Sequence, residues 1–177
     1  MRQEYQEKIV YLPRYIRITD IDITGNLIQG LGVTANNIEQ KHILNNNDLL
    51  IARSGNTVGK SYLHKSDNVD YECFFAGYMI RFIIDTNKSL PDYIFYYLQS
   101  KPYKQWVKAV QRITGQPNIN AEEYKSLAIP LPLLEKQTEI VEYIITIRHQ
   151  VKQLQQEAKT DLERAKKEVE VMILGEE

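Results

Sequence analysis

Two short motifs in this chain have the residue types of known chemical sites. Gly59-Lys60-Ser61 has the ending of a phosphate-binding loop, in which a lysine and backbone amides hold phosphate groups. That motif needs a small residue, normally glycine, five positions before Gly59, and this chain has Ser54 there. It also needs a helix after the lysine, whereas the residues from Ser61 to His64 have an extended pattern. We therefore expect no nucleotide hydrolysis at this loop.

The second motif, Glu39-Gln-Lys41, has the Glu-x-Lys form of metal-dependent nucleases, with Asp20 and Asp22 upstream. Such sites place carboxylates on adjacent strands so that they share a metal ion. The segment around Glu39 lacks the apolar residues of a buried strand, so surface charge is the better interpretation. The three histidines are scattered and lack the spacing of a zinc site. The sequence therefore predicts no catalytic residue, no metal site and no cofactor.

Composition narrows the class of protein. Hydrophobic residues make up 43% of the 177 residues, which is ordinary for a folded core. No apolar run approaches the roughly 20 residues of a membrane span, and the first residues lack the apolar stretch of a signal peptide. The single cysteine, Cys73, cannot form an internal disulfide and is expected to be buried in a reducing compartment. These features predict a cytoplasmic protein.

The pattern of strand-like and helix-like segments predicts a mixed α+β domain over residues 1–132. Four runs are rich in β-branched and aromatic residues, and turns with glycine or asparagine separate them. Two later segments read as helices because each opens at a proline, whose missing N–H costs nothing in the first helical turn. The predicted strands lie at 15–18, 48–52, 73–76 and 78–84, and the predicted helices at 91–98 and 102–111.

A long helix is predicted to follow this domain, within residues 133–177. No glycine or proline occurs between Leu133 and Gly175, and a helix of about 40 residues would be about 60 Å long. Its apolar residues recur at intervals of three and four, as in the seam of a coiled coil. The predicted seam residues are Ile144, Ile147, Val151, Leu154, Ala158, Leu162, Ala165, Val169 and Met172. Such a stripe requires a partner helix, and a second copy packed antiparallel by twofold symmetry is the simplest partner.

One cluster of basic residues lies in the predicted helix before Gly115. Four cations recur at helical spacing, without an acidic residue among them, while the aromatic and aliphatic residues face elsewhere. This stripe is either a solvated helix face or a surface that follows a phosphate backbone. The cations are Lys101, Lys104, Lys108 and Arg112, and the residues on the other face are Tyr103, Trp106, Val107 and Val110.

Four segments together resemble one half of the DNA-specificity subunit of type I restriction–modification systems. They are Asp48-Leu-Leu-Ile-Ala-Arg-Ser-Gly-Asn-Thr-Val-Gly-Lys60, Pro91-Asp-Tyr-Ile-Phe-Tyr-Tyr-Leu-Gln-Ser100, Thr114-Gly-Gln-Pro-Asn-Ile-Asn120 and Ile129-Pro-Leu-Pro-Leu-Leu-Glu-Lys-Gln-Thr-Glu-Ile-Val141. The family's subunit has two target-recognition domains, each followed by a long helix, and the two helices pack antiparallel. Two departures are Leu133, where the family has a second proline, and Lys136, where it has glutamate.

The resemblance implies a non-catalytic module that recognises double-stranded DNA and holds a methyltransferase subunit and a motor-nuclease restriction subunit. A homodimer of such halves would recognise a palindromic target with a fixed gap. The loop at 53–60 and the loop at 112–120 are expected to reach base edges, and the basic stripe to contact phosphates. The predicted DNA-contacting residues are Arg17, Arg53, Ser54, Asn56, Thr57, Lys60, Lys101, Lys104, Lys108, Arg112, Thr114, Gln116, Asn118 and Asn120.

The charge balance bears on the DNA-recognition interpretation, and two other interpretations remain open. The net charge is −1, with 15 basic and 13 acidic residues in positions 1–130, so the chain alone is expected to bind DNA weakly. The chain could instead be a coiled-coil scaffold whose globular head binds another protein. It could also be the recognition fragment of a larger modification enzyme. A shift of a methyltransferase–DNA complex on addition of this chain would favour DNA recognition over the scaffold.

Overall fold

The computed structural model describes residues 13–28, 32–35, 38–111 and 117–175. The chain divides into two compact units, Met1–Leu134 and Glu135–Glu177. Three of the predicted DNA-contacting residues, Arg112, Thr114 and Gln116, lie outside the described residues. The fold class is the predicted one, a mixed α+β domain followed by a long C-terminal helix.

A three-stranded antiparallel sheet forms the centre of the first unit. Its middle strand, β2, is a run of apolar residues that is buried along its whole length. Continuous apolar runs of this length are typical of strands that are covered on both faces. The chain reverses through residues 53–60 between β2 and β3, so this loop projects from one end of the sheet. The sheet has the order β3 (Ser61–Leu63), β2 (Leu49–Ala52) and β5 (Met79–Phe82).

Two further strands pair in parallel, β1 (Arg14–Ile16) with β4 (Cys73–Phe75). Tyr15 lies opposite Phe74 in this pair, and their rings stack with centroids 4.9 Å apart. Ile16 and Cys73 belong to the same buried apolar cluster as Leu50 of the central sheet. The two small sheets therefore share one hydrophobic core, and Cys73 is buried as the sequence predicted.

Three short helices complete this unit: α1 (Pro91–Tyr97), α2 (Lys101–Val110) and α3 (Ala121–Lys125). The first two agree with the predicted helices, and each has a proline in its first turn. Helix α2 is capped by Ser100, whose side chain accepts a hydrogen bond from the backbone N–H of Tyr103. Helix α3, which the sequence analysis did not predict, begins at a capping box formed by Asn120 and Glu123.

The second unit is a single helix, α4 (Leu134–Leu174), with 41 residues. Its length agrees with the prediction, because a helix without glycine or proline has no internal stop signal. Gln137 and Val141 are its buried residues, and every residue from 149 to 175 is exposed. Among the described residues, no helix is both long enough and apolar enough to cross a bilayer.

Candidate nucleic-acid interface

Two polar segments that lie far apart in the sequence are joined at the end of the central sheet. Ser54, in the loop between β2 and β3, faces Asn118 across an isolated antiparallel bridge. The backbone N–H of Gly55 donates to the carbonyl of Pro117, and that of Ile119 to the carbonyl of Arg53, both at 2.9 Å. The structure therefore brings together the described parts of both loops that were predicted to reach bases.

The segment at 117–119 is held by its backbone and by one apolar side chain. Ile119 is fully buried, whereas its neighbours Asn118 and Asn120 are exposed. Asn118 and Ser54 form a pair in which the flanking residues make the hydrogen bonds, so their side chains stand close together on one face. Arg53 is exposed beside them. This edge presents short amide and hydroxyl groups and one guanidinium, which are groups that bind base edges in a DNA groove.

The loop at 53–60 also carries Asn56 and Thr57, in a single 3-10 turn that spans Gly55–Thr57. Asn56 is exposed, and Thr57 is half-buried. The loop returns towards the sheet at Gly59, whose φ of +84° strongly favours glycine. A Cβ atom there would lie only 2.8 Å from Cγ2 of Val107. Helix α2 therefore approaches the loop backbone as closely as the absence of a side chain permits.

Helix α2 divides into two faces as its residue spacing predicted. Lys101, Lys104 and Lys108 are exposed, whereas Tyr103 and Val107 are buried. The Tyr103 hydroxyl donates to the carbonyl of Gly59 at 2.8 Å. The helix that carries the basic stripe is thus bonded directly to the loop that carries the polar residues.

A second tyrosine holds the opposite end of the same loop. The hydroxyl of Tyr124, from α3, donates to the carbonyl of Ala52 at 3.1 Å. Trp106 packs against both tyrosines, with its ring centroid 6.3 Å from that of Tyr103 and 5.7 Å from that of Tyr124. Burial raises the pKa of Tyr103 well above its ordinary value and that of Tyr124 to about 12. Both hydroxyls therefore stay protonated at neutral pH and remain hydrogen-bond donors.

Two of the predicted DNA-contacting cations are bonded within the domain. The guanidinium of Arg17 donates to both carboxylate oxygens of Asp20, at 3.1 and 2.8 Å. The Lys60 ammonium donates to the carbonyl of Ile18 at 3.0 Å and also to that of Ile21. These bonds use two of the three N–H donors of Lys60 and tie the loop at 53–60 to the turn after β1. A DNA contact by either cation stays a prediction.

Asp20 is the acid that orients Arg17, and it is 1% exposed. Burial alone would raise the pKa of this carboxyl. The side-chain and backbone hydrogen bonds from Arg17, together with its charge, outweigh burial and hold the pKa below its ordinary value. Asp20 is therefore ionised at neutral pH and keeps the Arg17 guanidinium in one orientation.

A comparison with known protein families identifies the family of this chain. The family model described as the type I restriction modification DNA specificity domain matches residues 7–164, which is most of the chain. The chain belongs to this family of DNA specificity domains. The domain that defines this family is a DNA-specificity component and not a catalytic one.

Individual relatives agree with the family assignment. The specificity subunit of the type I restriction enzyme MjaVIII from Methanocaldococcus jannaschii is 29% identical over 103 residues, which are 58% of this chain and 22% of that protein. The HsdS subunit from Thermoanaerobacter tengcongensis has a similar fold, with a TM-score of 0.61 and 18% identity over 80% of this chain and 37% of that chain. The specificity domain therefore spans about a fifth of its curated relative and under two fifths of this solved chain.

A second solved structure, from work on complex assembly and conformational transition of the type I R-M system, also has this fold. Its TM-score is 0.60 and its identity 21%, over 84% of this chain and 39% of that chain. At such identities the likeness shows the fold. The α+β specificity domain with a long C-terminal helix is thus a shared architecture.

The rejected catalytic motifs of the specificity domain have plain structural roles. Lys60 is followed by strand β3 rather than by a helix, so no helix N-terminus is present to hold a phosphate there. Glu39 and Lys41 form an exposed ion pair at 2.6 Å, in agreement with the surface-charge interpretation. Among the described residues, no group of histidine, cysteine and acidic side chains has the arrangement of a metal site.

The sequence analysis of the specificity domain missed the residues that hold the loop in place. Tyr103 was assigned to the inner face of its helix but not to the carbonyl of Gly59, and Tyr124 was not singled out. The alternation Asn118-Ile-Asn120, polar then apolar then polar, was the available signal for an edge segment. Asn120 was predicted to contact DNA, and in the structure its Oδ1 accepts a hydrogen bond from the backbone N–H of Glu123 at 2.9 Å.

Proposed function

We propose that this chain is a specificity module that reads one half of a bipartite DNA target with the sheet edge at Ser54 and Asn118. The bridge between these residues is the observation that carries the proposal, because it places two polar segments side by side. Arg53, Ser54, Asn56, Thr57 and Asn118 are the base-contacting candidates on the described part of this edge. Asn120 and the undescribed Thr114 and Gln116 belong to the same predicted loop.

The basic stripe of α2 would fix the domain on the phosphate backbone. Lys101, Lys104 and Lys108 are exposed on one face, and Arg112, which lies outside the described residues, continues their spacing in the sequence. Phosphate contacts position a protein without sequence information, whereas contacts in the groove distinguish base pairs. With 15 basic and 13 acidic residues in positions 1–130, the domain has little excess charge. Much of the affinity would therefore come from a partner subunit.

Assembly would come from helix α4. Val151 is 46% exposed and Leu154 63% exposed in the single chain, and both belong to the predicted seam. We propose that a second copy covers this seam with its own helix, antiparallel by twofold symmetry, as a coiled coil. Two identical recognition domains would then read a palindromic target with a fixed gap. A methyltransferase subunit and a restriction subunit would join this dimer in the cytoplasm, and the specificity subunit would direct both to the target.

Selection of bound sites from random DNA would test this function. The full chain, reconstituted with a methyltransferase subunit of a type I system, would be mixed with a random double-stranded library, and the bound fraction would be sequenced. We expect enrichment of two short inverted elements with a constant gap. A complex that bound DNA without enriching any sequence would contradict base recognition. A chain that left the methyltransferase–DNA complex unshifted would favour the protein-binding scaffold.

A further inference from the structure

We propose that Tyr103 and Tyr124 are positioning residues that set the geometry of base recognition, an inference that rests on the proposed function. Their hydroxyls hold the neck of the loop at 53–60, defined here as Ala52, where the loop leaves the sheet, and Gly59, where it returns. Tyr103 donates to the carbonyl of Gly59, and Tyr124 donates to the carbonyl of Ala52. Each end of the neck is thus held by a different helix.

The neck itself is closed by backbone hydrogen bonds. The N–H of Gly59 donates to the carbonyl of Ala52 at 3.0 Å, and the N–H of Ala52 to the carbonyl of Lys60 at 2.9 Å. The carbonyl of Ala52 therefore accepts from both Gly59 and Tyr124, using both of its lone pairs. These bonds set where the loop leaves the sheet. They therefore also determine the positions of the exposed side chains on the loop.

Burial makes the loss of either tyrosine hydrogen bond energetically costly. Tyr103 is 1% exposed and Tyr124 5% exposed, so neither hydroxyl has water as an alternative partner. A buried hydroxyl that loses its carbonyl remains desolvated, which costs more than the loss of a surface hydrogen bond would. The neck is consequently restrained to the positions at which both hydroxyls reach their carbonyls.

The two tyrosines also connect the loop to the other candidate DNA-facing elements. Tyr103 stands on the helix that carries the exposed lysines, and Tyr124 on the helix that directly follows Asn118 and Asn120. Because both helices are bonded to the neck, the neck sets the distance between the lysines proposed to contact phosphates and the edge proposed to contact bases. Specific contacts require placement within about 0.5 Å, so a small shift of the neck would lower sequence discrimination before it lowered general DNA binding.

Trp106 provides a direct probe of this arrangement. It is the single tryptophan of the chain, and its ring lies against both tyrosine rings. Replacing either tyrosine with phenylalanine keeps the ring and the aromatic packing and removes only the hydroxyl. A change in the tryptophan emission of such a variant would therefore report a shift of the neck or of the helices rather than loss of a ring.

The test compares Tyr103→Phe, Tyr124→Phe and the double variant with Tyr62→Phe. Tyr62 is a matched control because it is also buried in the same unit, and its hydroxyl pairs with Nδ1 of His64 at 3.1 Å rather than with the neck. Binding of each full chain, reconstituted with the methyltransferase subunit, would be measured on a selected target and on a scrambled duplex over a range of salt concentrations.

For the neck variants we expect the target-to-scrambled affinity ratio to fall by about fivefold or more, consistent with roughly one hydrogen bond to a neutral group. The affinity for scrambled DNA and the salt slope should not change, because the lysines keep their exposure. Amide exchange of Gly59 should quicken in the neck variants and not in Tyr62→Phe. The Tyr62→Phe chain should keep the wild-type affinity ratio even if its unfolding midpoint falls.

The outcomes separate this inference from the proposed function. Retention of the full affinity ratio and of Gly59 protection by both neck variants would overturn the positioning role while leaving base recognition intact. A fall in the ratio that Tyr62→Phe reproduced would also overturn it, since the effect would then follow from stability alone. A wild-type complex without sequence preference would overturn the proposed function and, with it, this inference.

Discussion

Ser54 and Asn118 face each other across a bridge that is made only of backbone hydrogen bonds. Neither side chain is needed to form the bridge, and Asn118 is exposed. The two side chains are therefore available to a ligand on a surface whose shape does not depend on them. The first prediction follows from this: backbone hydrogen bonds hold the edge, so its side chains can be replaced without changing its shape.

Replacing Arg53 or Asn118 with alanine should change which sequences the assembled complex prefers. Each lost base contact should cost about 1–3 kcal/mol on the affected target, while binding to scrambled DNA stays the same. The fold should be unaffected because Arg53 pairs through its backbone carbonyl, the backbone groups of Pro117 and Ile119 make the bonds beside Asn118, and both side chains are exposed. Repeating the selection from random DNA would measure this. Equal losses on target and scrambled duplexes would show that this edge does not read bases.

The double variant Lys104→Ala/Lys108→Ala should weaken binding to all sequences alike. Removing two phosphate contacts should lower the slope of log affinity against log salt by about 2. Lys88→Ala is the matched control, since Lys88 is exposed, lies outside α2 and forms an ion pair with Asp85. Anisotropy titrations on one labelled duplex at several salt concentrations would decide. An unchanged slope would remove the stripe from the DNA interface.

Substitution of Gly59 with alanine should destabilise the domain by about 1–3 kcal/mol, through its positive φ and the clash with Val107. Gly77→Ala is the control, because a Cβ at Gly77 meets nothing within 4 Å. Urea unfolding followed by tryptophan fluorescence gives both values. In a double-mutant cycle, Val107→Ala should recover part of the loss. Equal stabilities of the two glycine variants would contradict the close approach of α2 to the loop.

The free energy of unfolding should fall as the pH drops below about 6.5, because of His64. Burial lowers the pKa of this imidazole from its ordinary value of 6.5, although the charge of Asp48 opposes the shift. The unfolded chain then binds a proton that the folded chain does not, and stability is lost as the pH falls through the folded pKa. The slope is at most about 1.4 kcal/mol per pH unit for one proton.

Urea unfolding of wild type and His64→Leu between pH 7.5 and pH 5 would measure this contribution. The comparison uses the slopes with pH, so that the packing cost of the substitution cancels. The depressed carboxyls, Asp20 among them, titrate at lower pH and do not contribute in this window. Parallel slopes for the two proteins would mean that His64 is not the responsible group.

Introducing charge at the seam should prevent dimerisation. Val151→Asp with Leu154→Asp would bury two carboxylates in the interface, at a cost of about several kcal/mol. Gln153→Asp with Gln156→Asp adds the same charge off the seam and should leave the dimer intact. Sedimentation equilibrium of the full chain would distinguish them, and the head should remain folded in all variants. A wild type that is monomeric at tens of micromolar would refute the predicted assembly.

Local patterns allowed several elements to be predicted from the sequence. The buried strand at Leu49–Ala52, the amphipathic helix Lys101–Val110 and the long helix all follow from short-range periodicity. The predicted family is likewise confirmed, since the specificity model matches residues 7–164. The three elements share one property: each depends on residues that are neighbours in the chain.

The features that could not be predicted depend on pairing between distant residues. The parallel pairing of β1 with β4 and the bridge at Ser54 are made by backbone groups. Because every residue has these groups, the side-chain sequence does not show which segments pair. Lys60 shows the same limit, since its sequence context suggests an exposed cation and its ammonium instead meets two carbonyls near Ile18. The acceptors of a hydrogen bond of this kind become known only when the chain is folded.

The residues that hold the sheet edge at Ser54 and Asn118 are different from the residues exposed on it, and this difference has a consequence for how such a protein can diversify. Ile119, the neck tyrosines and the bridge hold the edge, whereas Arg53, Asn56 and Asn118 are exposed and form no part of the core. Surface substitutions away from core features usually change stability by less than about 0.5 kcal/mol. Mutations at these exposed positions can therefore accumulate without loss of the folded domain. Under the proposed function, a lineage that carries this scaffold would acquire a new recognition sequence one residue at a time.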